Sequence, residues 1–131
     1  MKINCLLLVD DDNINNYLSA RLFKKMEVTN TIKVVANGME ALNYVTQYCS
    51  MDKDVCCPDL ILLDINMPMM NGLEFLEAYN KINDELVHKS RIVVLTTSSH
   101  ENDMRKIKEL GGADHMNKPL TEEKIQQLLL D

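Results

Sequence analysis

The sequence predicts an α/β fold in which a central parallel sheet is covered by helices on both faces. Two observations carry this prediction. Short aliphatic runs alternate with segments of helical periodicity five times along the 131 residues. The aliphatic runs are nearly unbroken, which is typical of parallel strands buried on both faces. Right-handed crossovers would join consecutive strands, and the length suits one domain.

The first two strand–helix units occupy the amino-terminal part of the chain. The first strand covers Cys5–Val9, and helical periodicity begins at Asn13. A second, β-branched strand covers Thr31–Val35, and a second helix starts after Gly38. The apolar residues of the first helix share one face, which we expect to be buried: Ile14, Tyr17, Leu18, Leu22 and Met26.

The third strand organises the rest of the chain. Four consecutive aliphatic residues, Leu60–Leu63, end on the carboxylate of Asp64. A turn follows, and a third helix is predicted to begin near Gly72. Residues 48–58, before this strand, have no clear period and are predicted to be a loop or a frayed helix end. A buried strand ending on an acid presents that acid from a rigid support.

Two further units complete the alternation. The fourth strand is predicted at Arg91–Leu95 and the fourth helix at Asn102–Leu110. A weak fifth strand follows at Ala113–Asn117, and a last helix, capped by Thr121, begins at residue 122.

Composition excludes several classes of protein. The net charge is −6 and no basic run is present, which argues against direct binding to nucleic acid. No apolar run approaches the roughly 20 residues of a membrane span, and no secretory signal is visible. The four cysteines (Cys5, Cys49, Cys56 and Cys57) lack zinc-site spacing. We therefore expect a cytoplasmic protein with reduced thiols.

Five polar residues are predicted to meet where the strands end. In a parallel α/β sheet, ligands bind beyond the carboxyl ends of the strands. That edge collects Asp10, Asp11, Asp64, Thr96 and Lys118. Three clustered carboxylates call for a hard divalent cation such as Mg²⁺ or Mn²⁺. With an ammonium and a hydroxyl nearby, the edge suits a phosphoryl group, and Asp64 is the candidate nucleophile that would form an aspartyl phosphate.

Four motifs in order carry a family resemblance: Leu8-Val9-Asp10-Asp11-Asp12, Leu62–Pro68 with Asn71-Gly72, Val94-Leu95-Thr96, and Asn117-Lys118-Pro119. Together they resemble the receiver domain of two-component response regulators, the CheY-like family. The resemblance implies a single (βα)5 flavodoxin-like three-layer sandwich with strand order 2-1-3-4-5. It also implies a cis bond between Lys118 and Pro119. Because the sequence ends directly after the fifth helix, we expect one receiver domain over residues 1–131 with no output domain.

The resemblance also implies roles for the site residues. Asp64 would accept phosphate from the phosphohistidine of a sensor histidine kinase or of a histidine phosphotransfer protein. Asp11 and Asp64 would bind Mg²⁺ through their carboxylates, Asn66 through its main-chain carbonyl and Asp10 through water. Lys118 would pair with the phosphoryl oxygens.

A switch is implied as well. Phosphorylation would draw in Thr96, and an aromatic residue on strand five would follow it. His115 holds that position here, where the family more often has Tyr or Phe, so the coupling is predicted to be weak or pH-sensitive. The face formed by helix four, strand five and helix five would then meet an unidentified protein target or a second copy of the chain.

Such a site suits three functions. The first is a stand-alone receiver that signals by phosphorylation-dependent protein binding. The second is a phosphorelay intermediate that passes phosphate to a histidine phosphotransfer protein. The third is an aspartate-nucleophile phosphatase, which usually carries a second Asp two residues after the nucleophile. Asn66 stands there instead, so an enzyme acting on other molecules is not expected.

Overall fold

The computed structural model describes residues 3–49, 57–83, 85, 87–96, 101–110 and 113–130, without the side chains of residues 101–103 and 113. Its strands are β1 (Ile3–Val9), β2 (Thr29–Val35), β3 (Leu60–Asp64), β4 (Arg91–Thr96) and β5 (Ala113–Asn117). Its α-helices are α1 (Asn13–Met26), α2 (Gly38–Tyr48), α3 (Gly72–Asn80), α4 (Glu101–Leu110) and α5 (Glu122–Leu130). None of these helices is long and apolar enough to cross a membrane.

The five strands form one parallel sheet in the order β2-β1-β3-β4-β5, which confirms the predicted fold class and strand order. Alternate residues of a strand point to opposite faces. Leu7 and Val9 therefore pack into a hydrophobic cluster with α2, α3 and α4, whereas Leu6 and Leu8 pack into a second cluster with α1 and α5. The sheet lies between these two cores, and this explains why each central strand contains a run of four consecutive aliphatic residues.

The buried face of α1 differs from the prediction, which was wrong for three of its five residues. Ile14, Tyr17 and Leu18 are 70%, 64% and 54% exposed. The residues in the core are instead Asn16 and Phe23, which lie on another stripe of the helix. The two other members of the predicted face, Leu22 and Met26, are partly buried. Apolar spacing showed that the segment is helical, but the docking of the helix chose the face.

The prediction of reduced thiols is also wrong for two cysteines. Cys49 and Cys57 form a disulfide, with their Cα atoms 4.8 Å apart. Cys5 is buried and takes no part in this disulfide, and Cys56 lies outside the described residues. The pair meets because α2 runs back across the sheet and ends beside the start of β3. Of the predicted loop over residues 48–58, the structure describes Tyr48 as the end of α2 but not residues 50–56.

Candidate functional site

Acidic side chains from two neighbouring strand ends converge at one edge of the sheet. Asp10 directly follows β1, and Asp64 is the last residue of β3, which pairs with β1 in parallel. One carboxylate oxygen from each of Asp10, Asp11 and Asp64 lies within 4.8 Å of the others. Asp10 and Asp64 are buried and Asp11 is exposed. The structure therefore brings together the three acids that the sequence placed at this edge.

Lys118 reaches the same acids from beyond β5. Its Nζ lies 3.3 Å from Oδ2 of Asp10 and 3.1 Å from Oδ1 of Asp64. Its main-chain N–H donates to the carbonyl of Thr96 at 2.9 Å, which ties the segment after β5 to the end of β4. The following bond to Pro119 is cis, as the resemblance implied. The ammonium thus offsets the repulsion between two buried carboxylates.

The electrostatics of the site are set by burial and by these charges. Burial raises the pKa of the Asp64 carboxyl, and the charge of Asp10 raises it further, while Lys118 opposes the change. Burial alone would lower the pKa of Lys118, but the charges of Asp64 and Asp10 outweigh it and the pKa is raised. Lys118 is therefore an ammonium at neutral pH, and a further cation would favour the ionised form of Asp64.

The other predicted site residues lie at different depths. Thr96 is buried at the end of β4, one position beyond Leu95, which pairs with Asp64. Asn66 is exposed, two residues after Asp64. His115 is exposed on β5 and faces a shallow cleft that Arg91 and Lys108 also line. Asn66 is thus close to Asp64 in sequence, and Thr96 is close to it through the pairing of β3 with β4, whereas His115 points to the surface.

Asn16 supports the site and was missed by the sequence reasoning. It is buried in α1, and its Nδ2 donates to the main-chain carbonyl of Asp10 at 2.7 Å. The N–H of Asp10 donates to the carbonyl of Val35 at 3.1 Å, and its Oδ1 accepts from the N–H of Asp12 at 3.0 Å. Asp10 is therefore held by both its main chain and its side chain. The sequence did contain a signal for this role, because Asn16 is a polar residue on the same stripe of α1 as the apolar Phe23.

Two glycines allow a close approach around the segment that follows β3. A Cβ on Gly72 would lie 2.5 Å from the carbonyl oxygen of Asp64 and 2.9 Å from Cα of Ile65. A Cβ on Gly38 would lie 2.7 Å from Cγ and 2.8 Å from the carbonyl oxygen of Met70. The N–H groups of Gly72 and Gly38 donate to the carbonyls of Ile65 and Met70, both at 2.9 Å. The amino termini of α2 and α3 thus clamp the chain that leaves Asp64.

The donor set fits a hard divalent cation. Asp10, Asp11 and Asp64 offer only oxygen ligands, from acids whose repulsion a cation would relieve. They lie at an open edge, where waters and phosphate oxygens can complete the coordination that Mg²⁺ prefers. Beside them is a cleft of about 380 Å³ that is lined by Asp10 and Lys118. Apolar residues also line it, including Leu18 of α1 and Leu120 in the segment before α5. The site can therefore combine an ion, a phosphoryl group and a neighbouring contact surface.

Known proteins are similar to this chain in sequence and in fold. A sequence profile described as the response regulator receiver domain matches residues 6–130. The chain is 33% identical over 123 residues to two-component response regulator 24 of Arabidopsis thaliana, covering 94% of this chain and 79% of that protein. It is 31% identical over 121 residues to sporulation initiation phosphotransferase F of Bacillus subtilis, covering 92% and 86% of the two chains. A crystal structure of a two-component response regulator from Cytophaga hutchinsonii aligns with a TM-score of 0.86 at 28% identity, covering 99% of this chain and 96% of that one.

Proposed function

The chain belongs to the response regulator receiver domain family of two-component signalling, and from this membership we propose that Asp64 accepts a phosphoryl group in the presence of Mg²⁺. The observation that supports this most strongly is the convergence of three carboxylates within 4.8 Å, with the Lys118 ammonium 3.1 Å from Asp64. The family is one of signalling domains, so the chemistry we propose is confined to the phosphorylation and dephosphorylation of the chain itself.

The proposed transfer uses residues of this chain in distinct roles. A carboxylate oxygen of Asp64 attacks the phosphorus of a phosphohistidine, the P–N bond breaks, and the imidazole leaves with the electron pair. Lys118 pairs with the phosphoryl oxygens, and the Thr96 hydroxyl donates to one of them. Asp10 and Asp11, together with Asp64, would hold Mg²⁺, with the main-chain carbonyl of Asn66 as a further ligand. A bound Mg²⁺ supplies positive charge that offsets the repulsion between these acids and the incoming phosphoryl group.

The exposed apolar face of α1 supports a protein phosphodonor. Ile14, Tyr17 and Leu18 are the largest exposed apolar side chains of this helix, and Leu18 also lines the cleft that reaches Asp10 and Lys118. A contiguous apolar surface beside a reactive group is typical of a protein-binding site. We propose that a sensor histidine kinase or a histidine phosphotransfer protein covers this face while its histidine meets Asp64. A cytoplasmic location, usual for the family, is part of the proposal.

The output side of the proposal rests on Thr96 and His115. Phosphorylation adds close to two negative charges, which would attract the Thr96 hydroxyl and Lys118. His115, exposed in this structure, would turn inward as Thr96 moves and so change the surface of α4, β5 and α5. That surface would bind a downstream protein target or a second copy of the chain. Because the side chain is His, the response should differ between pH 6 and pH 8. Equal changes in NMR spectra at the two pH values would remove this part of the proposal.

A direct experiment tests the phosphoacceptor. The protein is incubated with a small phosphodonor and Mg²⁺, and intact mass is followed. We expect the mass of one phosphoryl group on the wild type and on Asp12→Ala, a control that removes an exposed helix cap beside the site. Asp64→Asn should gain nothing, and chelation of Mg²⁺ should suppress the wild-type reaction. Continued labelling of Asp64→Asn would refute the assignment.

A phosphorelay role is the second candidate, favoured by the similarity to sporulation initiation phosphotransferase F of Bacillus subtilis. In that role Asp64 passes its phosphoryl group to a histidine of another protein. Mixing the phosphorylated chain with a histidine phosphotransfer protein separates the two candidates. Rapid loss of phosphate from Asp64 with its appearance on the other protein supports the relay, whereas a stable phosphorylation-dependent complex supports the binding module.

A further inference from the structure

The Cys49–Cys57 disulfide lies at the opposite end of β3 from Asp64. Cys57 stands three residues before Leu60, where β3 starts, and Asp64 ends the strand. Cys49 caps α2, and its N–H donates to the carbonyl of Val45 at 2.9 Å. Both half-cystines are buried, with exposures of 3% and 8%, in the core cluster shared with α2, α3 and α4. The bond therefore joins two elements that also build the phosphoacceptor edge, but at their far ends.

Contacts other than the disulfide hold the start of β3 in place. The N–H of Asp59 donates to the carbonyl of Cys5, and the N–H of Arg91 donates to the carbonyl of Asp59, both at 2.9 Å. The hydroxyl of Ser90 donates to the carbonyl of Pro58 at 2.6 Å. These bonds link β3 to both neighbouring strands. The strand should therefore keep its register when the sulfur–sulfur bond is absent.

The other end of α2 is anchored independently as well. There the N–H of Gly38 donates to the carbonyl of Met70 in the segment that follows Asp64. Release of the Cys49 end leaves this contact in place. The two sulfurs must move apart when the bond is broken, and these anchors allow that local shift without loss of the fold, since free cysteine packs as a small apolar side chain.

We propose that Cys49 and Cys57 form a reversible thiol–disulfide site, a redox input that is separate from phosphorylation of Asp64. Reduction requires a dithiol as the partner. One thiolate of the dithiol attacks a sulfur of the pair, the Cys49–Cys57 bond breaks, and the second thiolate then displaces the protein from the mixed disulfide. Two electrons and two protons pass to the protein, which gains two thiols, and the dithiol becomes a cyclic disulfide.

The consequence of reduction is a change in stability. A cross-link between residues eight apart in sequence restricts the unfolded chain more than the folded one. For a loop of this length and a domain of this size, reduction should lower Tm by about 5–10 °C. Because β3 and the Gly38 end of α2 keep their own anchors, the extent of Mg²⁺-dependent phosphorylation should remain within about twofold.

Cys56→Ser provides the background for the test, since it leaves Cys5 and the pair as the remaining cysteines. After oxidation with glutathione disulfide and denaturation, alkylation should add one group per chain, on Cys5, and three groups if dithiothreitol is added first. Calorimetry should show the fall in Tm with dithiothreitol and its recovery on reoxidation. Cys49→Ala/Cys57→Ala in the same background is the matched control, and its Tm should not respond.

Two results would overturn the proposal. One is alkylation of all three cysteines in the oxidised protein, which would show that the pair does not form in solution. The other is an equal response of Tm to dithiothreitol in the protein that lacks the pair. Phosphorylation of both redox forms is measured in the same samples. A failure of Asp64 to take up phosphate would therefore count against the phosphoacceptor function and leave the redox result unaffected.

Discussion

Substitution of Gly72 by alanine tests how the segment around Asp64 is built. The added Cβ would lie 2.5 Å from the Asp64 carbonyl oxygen and 2.9 Å from Cα of Ile65. Both are main-chain atoms at the end of a buried strand, so no side chain can rotate away to make room. The Gly72 N–H also donates to the Ile65 carbonyl at 2.9 Å, and a shift of α3 would lengthen this bond.

The expected change in the free energy of unfolding is the sum of opposing contributions. Alanine is favoured over glycine in a helix by up to about 1 kcal/mol. Overpacking of a well-filled site costs about 1–3 kcal/mol, and loss of the Gly72 hydrogen bond adds about 1 kcal/mol. The net expectation for Gly72→Ala is a loss of about 1–3 kcal/mol, a large part of the 5–15 kcal/mol that is typical of a domain. Since the clash moves the Asp64 main chain, the rate of phosphorylation should also fall, by roughly tenfold to a hundredfold.

Urea unfolding followed by circular dichroism measures the free energy of unfolding, and intact mass against time measures the phosphorylation rate. Glu123→Ala, on the exposed first turn of α5, is the control for a change in helix propensity. It should stay within about 0.5 kcal/mol of the wild type and react at the wild-type rate. A Gly72→Ala protein as stable as the wild type, with an unchanged rate, would refute the view that close backbone approach requires glycine here.

Three further predictions concern the charges and backbone of the site. Lys118→Met should slow phosphorylation by roughly a hundredfold, because two buried acids lose their shared cation. For the same reason it should lower the free energy of unfolding, measured with urea at pH 7, by about 2–3 kcal/mol. An unchanged rate of phosphorylation would exclude Lys118 from the transfer. The pKa of Asp64 is raised in the folded state, so the folded protein keeps this proton to a higher pH than the unfolded chain does. As pH rises from 3.8 through the pKa of Asp64 in the folded state, the metal-free wild type should therefore lose stability relative to Asp64→Asn. A gain in stability over this range would contradict the direction of the pKa change. Met69 has φ of 69°, so Met69→Gly should raise the free energy of unfolding, measured with urea, by less than about 1 kcal/mol. A loss of stability would show that the Met69 side chain contributes more than the backbone strain costs.

Local chemistry determined most of the fold. The uninterrupted run Leu60–Leu63 is compatible only with burial on both faces, and this property predicted a parallel sheet before any contact was known. Thr121 marked the start of α5, where its hydroxyl accepts from the N–H of Lys124 at 3.2 Å. Boundaries at strand starts were less well determined, since β1 and β2 each begin two residues earlier than predicted. The added residues pair with a neighbouring strand, and no local pattern records that pairing.

The convergence of the acids was predictable because strand order and strand direction together bring the carboxyl ends of neighbouring strands to one edge. Asp10 and Asp64 follow or end adjacent strands, so their proximity is a consequence of parallel pairing. Their degree of burial and the two distances to Lys118 depend on how the segment after β5 turns back. That turn is a tertiary property, and so is the resulting balance of pKa values.

The amino-acid sequence by itself thus determined the element types, the fold class and the acids that meet at the sheet edge, because these follow from periodicity and from parallel strand direction. Only the tertiary structure decided which face of α1 is buried, that Asn16 supports Asp10, and that Cys49 meets Cys57. Each of these depends on how one element docks on another. Docking is set by the summed packing of many side chains, which the spacing of residues along a single element does not contain.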